Sequence, residues 1–539
     1  MTRGMRLLRP MALVALLSVL LLTACGGGKT QSQTPAGGTA PSPAPSAAPT
    51  PKSGGTLNAT FSSDPGHLDP HRGVTAQNFV PLVYNTLVRF KTGTGVKVQD
   101  FIIEPDLAET WEQPNPTTYV FHLRKGVKWQ TIPPVSGREF TSDDVLFSFD
   151  RMLANDAENI KRDLFAAIDK VEAPDKYTVR ITLKQPFAPF LSNLATVFAS
   201  ILPRADVDFK KVTIGTGPFM LTSSEKGVKY VYKKNSDYFE KGLPYLDQIN
   251  ILIIPDMAAR LSAFRAGQLD VVDLLAYQQA KPLLDANSKL SSEQWPGNFS
   301  VMARLNVTKP PLDNPKVRQA LSLALDRDAI ARALGGGQGV VNGPVPTALG
   351  DSVVPPDQLF GFKRDVAKAK QLLADAGLAG GFSLDAVGGN SPDNRKIMLE
   401  AMAGQWAEVG VKLNIKLVAP TEINKLRVDK NFQVMADNFT LASDPDNYLY
   451  IEYHSKSSGN IGGYNDPALD KLLEQQRTAT DPAQRKQLVA DAQKKVAEDA
   501  FILTTGDPIY VSLSQPSVKG FRHSYINQYL PLKNIWLDK

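Results

Sequence analysis

The chain of 539 residues has one cysteine, Cys25, so no intrachain disulfide can form and the fold must stand on its core alone. Histidine is nearly as scarce, with five at positions 67, 71, 122, 454 and 523. His67 and His71 stand four apart in HLDPH, the spacing of paired ligands on a helix. Pro70 between them spoils a helix and no HExxH pattern occurs, so no metal site is expected. His122 falls in a strand-like stretch and reads as a paired or surface residue. Nucleotide and nucleophile signatures are missing too. GGGQG (335–339) lacks the Gly-Lys-Ser/Thr ending of a phosphate loop, GTGPF (215–219) is a lone glycine turn, and no G-x-S-x-G elbow appears. Asp143 and Asp144, after Thr141 and Ser142, suit the first turn of a helix dipole better than a general acid/base pair. An excess of one charge is also lacking. The net charge is +6, Arg3, Arg6 and Arg9 contribute half of it, and the remaining Lys and Arg form no phosphate-tracking stripe, which excludes nucleic acid as a partner. Long apolar runs are absent as well. Met11–Leu22 would span roughly 18 Å as a helix, short of a ~30 Å hydrocarbon core, and no later run is longer.

What is present begins at the same N-terminus. Three arginines, a short apolar stretch and small residues after it read as a secretory signal peptide over 1–24. Leu22-Thr23-Ala24-Cys25 resembles the bacterial lipobox, in which the thiol is lipidated and the cysteine becomes the first residue of the mature chain. An ordinary signal peptide with a free cysteine is the plainer alternative. Lipidation would account for the solitary cysteine, since acyl chains contributing ~0.8 kcal/mol per buried methylene hold a domain to a bilayer. Residues 26–55, GGGKTQSQTPAGGTAPSPAPSAAPTPKSGG, can build no core and read with Cys25 as a tether over 25–55. Such a coil averages about 30 Å and reaches about 100 Å at most. The expected address is extracytoplasmic, lipid-anchored to the cell membrane, in a periplasm or at the outer cell surface.

From about Thr56 onward the chain has the makeup of a globular protein, 42% hydrophobic and 21% charged overall. YVFHLRKGVKW (119–129) and YTVRITL (177–183) alternate β-branched and aromatic residues with polar ones, and INILIIP (249–255) is a continuous apolar run that reads as a buried strand. Asn314-Pro315, Asp466-Pro467 and Asp481-Pro482 each place a capping side chain before a proline suited to the first helical position. Gly377 after VAKAKQLLADA suits the residue just past a helix end. The mixture predicts an α/β (mixed α+β) protein in more than one lobe.

Several stretches, in order, resemble one family, the extracytoplasmic solute-binding proteins of ABC importers of family 5, the peptide, nickel and opine type. They are DPGHLDPHRG (64–73), PDLAETWE (105–112), FTSDDVLFSFDRML (140–153), GTGPF (215–219), GLPYLDQI (242–249), RAGQLDVVD (265–273), LNVTKPPLDNPKVRQALSLALDRDAI (305–330), AKQLLADAG (369–377), SDPDNYL (443–449) and YNDPALDKLL (464–473). The resemblance implies the large three-domain type of the two-lobed periplasmic-binding-protein fold (type II, cluster C). Lobe 1 would comprise 56–86, 211–303 and 505–539, a second domain at 87–210 would pack on it, and lobe 2 would be 304–504. Crossing segments near Val301–Leu305 and Leu503–Asp507 would act as hinges. It further implies capture of an oligopeptide-like solute by closure and hand-over to membrane permease subunits, by a monomer, with no cofactor, no catalytic residue and no metal.

In peptide binders of this family, two segments pair with the ligand backbone. By resemblance they map here to Val74, Thr75, Ala76 and Gln77, and to Asn438, Phe439, Thr440 and Leu441, followed by Asp444. Trp295, Asn298 and Phe299, in a turn-like WPGNF before the hinge, are candidates to contact a sugar or side chain. One position departs from the pattern. Peptide binders commonly carry an aspartate three places before the DP aspartate, pairing with the ligand's α-amino group, and here that place is Leu441. Asp437 or Asp444 would have to substitute, or else the ligand is a blocked or cyclic peptide, an oligosaccharide or another polar solute. Two readings of other classes stand beside the importer role. A surface-anchored hydrolase would need a nucleophile–base pair that the sequence does not display, and a sensory or adhesive lipoprotein could use the same fold.

Overall fold

The expected helix starts are built by short-range bonds in the computed structural model, which describes residues 50–539 apart from 74–77, 94, 160, 299, 391–393, 439–441 and 526–529. Asn314 accepts the Lys316 N–H at 3.0 Å ahead of helix Pro315–Leu323. Asp466 accepts from Ala468 at 2.7 Å ahead of Pro467–Thr478, and Asp481 from Gln484 at 2.7 Å ahead of Pro482–Asp499. In each case the carboxylate or amide satisfies an orphan donor of the first turn and the proline sits where no N–H is needed. Asp144 closes the first turn of Ser142–Leu153 by accepting the Thr141 N–H, and is buried against Arg138 and the Trp129 indole. Gly377 follows the end of Val366–Asp375 with a φ of +75°.

Three sheets organise Pro51–Lys539, which forms one compact unit. The first has four antiparallel strands in the order Ala108–Asn115, Thr118–Leu123, Thr178–Leu183, Ile168–Asp175. Helix Ser142–Leu153 packs on it over a core containing Trp129, Phe140, Phe149 and Phe187. The second runs Thr56–Phe61, Gln248–Ile253, Lys229–Lys234, Phe219–Glu225, with only its first pair parallel. Here INILIIP departs from expectation. Gln248–Ile253 is buried at alternate positions rather than throughout, because a core covers one face of the sheet only.

The third sheet joins the molecule's halves. Its order is Val271–Ala276, Ile502–Ser514, Val301–Leu305, Val434–Asn438, Phe382–Gly389, Val411–Val418. Ile502–Ser514 is thirteen residues long. Its first half pairs with Val301–Leu305 and its second half with Ser291–Pro296 and Val271–Ala276. One strand therefore runs from one lobe into the other, beside the antiparallel strand Val301–Leu305. Helices Pro315–Leu323, Val366–Asp375 and Asn394–Ala407 cover the far lobe around Trp406. Helices Asp446–Tyr453, Pro467–Thr478 and Pro482–Asp499 form a second layer there around Tyr453 and Phe501. Among the described residues no helix is long and apolar enough to cross a membrane.

Candidate functional site

The segment Lys97–Ile103 runs from beyond the short strand Val88–Phe90 to the first residue of the strand Ile103–Pro105. With Ala188, Leu191 and Ser192 it makes one wall of a cleft of about 540 Å³. The other wall comes from the far lobe and comprises Leu349–Ser352, Ser443–Pro445 and Arg485. Cavities of this size hold small ligands, and a cleft with walls from two lobes changes shape when they move.

Asp444 lies on the far wall, and the fold has already committed it. Arg485 donates to both its oxygens at 3.0 and 2.6 Å, the Asp446 N–H donates at 2.8 Å, and Ser192 Oγ reaches across the cleft at 3.3 Å. Asp437 is committed too. Arg304 and Arg427 each stand 2.9 Å from one of its oxygens, and Arg304 also donates to Glu452 at 2.5 Å. Burial alone would raise the Asp437 carboxyl, but the two arginines more than reverse this and hold it below the usual carboxylate range. For Glu452 burial prevails over Arg304 and its carboxyl is raised. Both carboxylates expected to replace the missing aspartate are thus neutralised internally by arginine.

The remaining expected site residues divide. Asn438 ends its strand beside Val301 and accepts a hydrogen bond from Arg395. Asn298 is fully buried, and its amide is spent on the Ala442 carbonyl at 3.3 Å and the Tyr448 hydroxyl, which donates to it at 2.5 Å. Trp295 requires a correction. It lies in the strand Ser291–Pro296 rather than in a turn, and it is 2% exposed, on the lining of a cavity of about 340 Å³ shared with Lys97–Gln99 and Arg522. His523 stacks on it with centroids 3.5 Å apart, and its indole N–H donates to Ser512 Oγ at 3.0 Å. Strand pairing with residues 509–514, remote in sequence, buried it. Val74, Thr75, Ala76, Gln77, Phe299, Phe439, Thr440, Leu441 and Cys25 lie outside the described residues.

His67 and His71 are not brought together as ligands. His71 is buried, its Nε2 lies 2.8 Å from the Ser200 carbonyl, and burial lowers its pKa to about 4, so the ring is neutral. His67 Nδ1 accepts the Asp69 N–H at 3.3 Å. Among the described residues no group of three or more His, Cys, Asp or Glu could hold a metal ion. Ser192, Asp446, Arg477 and Arg485 are not candidates from the sequence. No local signal marks them, because each acquires its role from a partner 30 or more residues away or across the cleft.

Comparison with known proteins places this geometry among relatives. The family model described as "Bacterial extracellular solute-binding proteins, family 5 Middle" matches residues 103–460. The dipeptide-binding protein of Escherichia coli (strain K12) is 33% identical over 485 residues, covering 82% of this chain and 86% of that protein. The heme-binding protein A of Haemophilus influenzae is 31% identical over 480 residues, covering 82% and 84%. Among solved structures, the Helicobacter pylori periplasmic binding protein DppA in complex with the peptide STSA superposes with a TM-score of 0.73 at 26% identity, covering 90% of this chain and 99% of that one. HbpA2 from Haemophilus parasuis gives 0.77 at 28%, covering 90% and 100%.

Proposed function

Since the chain belongs to the bacterial extracellular solute-binding proteins of family 5, whose members bind solutes rather than transform them, we propose that it captures an oligopeptide-like solute for an ABC importer. The observation that carries this reading is the cleft with one wall from each lobe, in a fold whose strand Ile502–Ser514 pairs with Val301–Leu305 at one end and with Ser291–Pro296 at the other. A solute that touches both walls binds the shut form better than the open one and shifts the population toward it, giving a membrane permease a distinct shape to recognise. The moving parts are 56–86, 211–303 and 505–539 with 87–210 on one side, and 304–504 on the other. The peptide relatives support peptide as the solute, while the heme-binding relative keeps the solute class broader.

The internal use of Asp437 and Asp444 sharpens the reading. With both carboxylates held by arginine, a free α-amino group meets neither as a partner. Screening di- to pentapeptides against the full-length chain by thermal shift tests the capture. A binding peptide at 100 times its dissociation constant should add ~2.7 kcal/mol of stability. Its N-acetylated form should bind within about threefold, whereas a pairing carboxylate would make acetylation cost ~1.5–3 kcal/mol, tenfold or more. Silence from every peptide together with a shift from an oligosaccharide would replace the peptide reading by the carbohydrate one.

The proposed address is the outer face of a cell membrane, with 1–24 removed, Cys25 acylated, 25–55 as a leash and the body acting as a monomer. Lys52 begins the folded body in an ion pair with Asp538 at 2.6 Å, so the leash would leave beside the C-terminus. Intact mass of the exported chain checks the anchor, since Cys25→Ser should remove both the acyl mass and retention on the membrane.

A further inference from the structure

At one rim of the cleft the lobes meet through Arg477, in the last turn of helix Pro467–Thr478. Its guanidinium lies 3.7 Å from the centre of the Tyr450 ring in its own lobe and 5.0 Å from that of Phe187 in the other. Phe187 belongs to the core of the first sheet, whereas the helix bearing Arg477 packs through Leu469 and Leu473 into the far lobe. Arg477 Nε stands 3.2 Å from Asp446. The Arg477 carbonyl accepts the N–H of Ala188, a cleft-wall residue, at 2.7 Å.

These contacts fall into two groups. Tyr450 and Asp446 share a lobe with Arg477 and stay with it however the lobes move, so they keep the guanidinium aimed. The Phe187 ring and the Ala188 N–H are reached only when the lobes are together. We propose that Arg477 is a positioning residue for solute capture, a clasp whose guanidinium is held ready in one lobe and received between two aromatic rings on closure. The proposal rests on the reading of the cleft as the solute site.

The physical case lies in pre-organisation. A free arginine loses much rotamer freedom when it docks, but one already stacked and ion-paired has lost it beforehand, so its new contact is not offset by ordering. A guanidinium between two rings is also partly withdrawn from water, where cation–π attraction is stronger than at an exposed site. A larger shut fraction raises apparent affinity in proportion, without any contact between Arg477 and the solute.

Amide hydrogen exchange on the full-length chain without added solute tests this directly. In Arg477→Ala, peptides covering 185–192 and 446–452 should exchange about tenfold faster or more, while those covering Thr118–Leu123 and Val411–Val418 should not change. Phe187→Leu removes the ring from the opposite lobe and should reproduce the pattern over 446–452. Arg477→Lys keeps a cation near Asp446 but loses the planar face, and should fall between. Unchanged exchange in both segments for Arg477→Ala and Phe187→Leu would overturn the proposal. So would acceleration shared equally by the two reference strands, which would mark a residue that only holds the fold. Because no solute is present, a positive result together with failed peptide binding would overturn the peptide reading and leave the clasp standing.

Discussion

Arg304→Met is expected to destabilise the far lobe by about 3–5 kcal/mol, the cost of removing one partner from a buried ionic group. Arg304 is 4% exposed and is shared between Asp437 and Glu452, which are also buried. Asp437 keeps Arg427 after the substitution, but Glu452 loses the arginine that opposes its burial. The loss should therefore shrink in acid, as Glu452 takes up a proton and ceases to be a buried charge. Removing the charge itself should do the same at neutral pH, so Arg304→Met/Glu452→Met should recover most of the loss, as replacing both partners of a buried pair by apolar groups commonly does. Urea unfolding of the single and double variants at pH 5 and 7.5 checks all three points. Equal losses at both pH values would show that Glu452 is not the group left exposed to the penalty.

Asp446→Asn should act in the opposite direction. Burial raises the Asp446 carboxyl to about 6, with Arg477 opposing the shift and the charge of Asp444 reinforcing it. The folded value lies above the ordinary 3.8, so folding takes up a proton between the two. The stabilisation linked to that proton is complete below about pH 3.8 and is lost as the pH rises through 6. At pH 7.5 the ionised group costs about 3 kcal/mol. Asparagine does not titrate and keeps an oxygen for the Gln476 amide that donates to Asp446. The variant should exceed the parent in stability at pH 7.5, and its advantage should disappear by about pH 4. Parallel pH profiles for the two proteins would exclude Asp446 as the titrating group.

Features fixed by neighbours in the chain were legible in advance. The caps at Asn314, Asp466 and Asp481 and the glycine at 377 depend on bonds spanning two or three residues or on one backbone angle. GTGPF reads as a turn with no nucleotide, and its reason is tertiary. A Cβ on Gly215 would fall 1.7 Å from the Val83 carbonyl oxygen, so the chain needs glycine there to pass a distant segment. Trp295 shows the limit from the other side. WPGNF looks like a turn from its proline and glycine, yet the first two residues pair with Tyr510 and Ile509 and the indole is sealed by His523. Asp437 and Asp444 show it for the site. The family resemblance could nominate them as carboxylates for a ligand, but not reveal that Arg427 and Arg485 already hold them.

The order of motifs along the chain was enough to identify the family, and strand alternation and capping signals gave the mixed α/β class, because such signals are local in sequence and survive without coordinates. Tertiary structure alone decided which carboxylates are spent, which aromatic faces are covered and which rings Arg477 meets. Those depend on distances between groups 10 to about 250 residues apart, and a chain encodes such distances only through the sum of its packing.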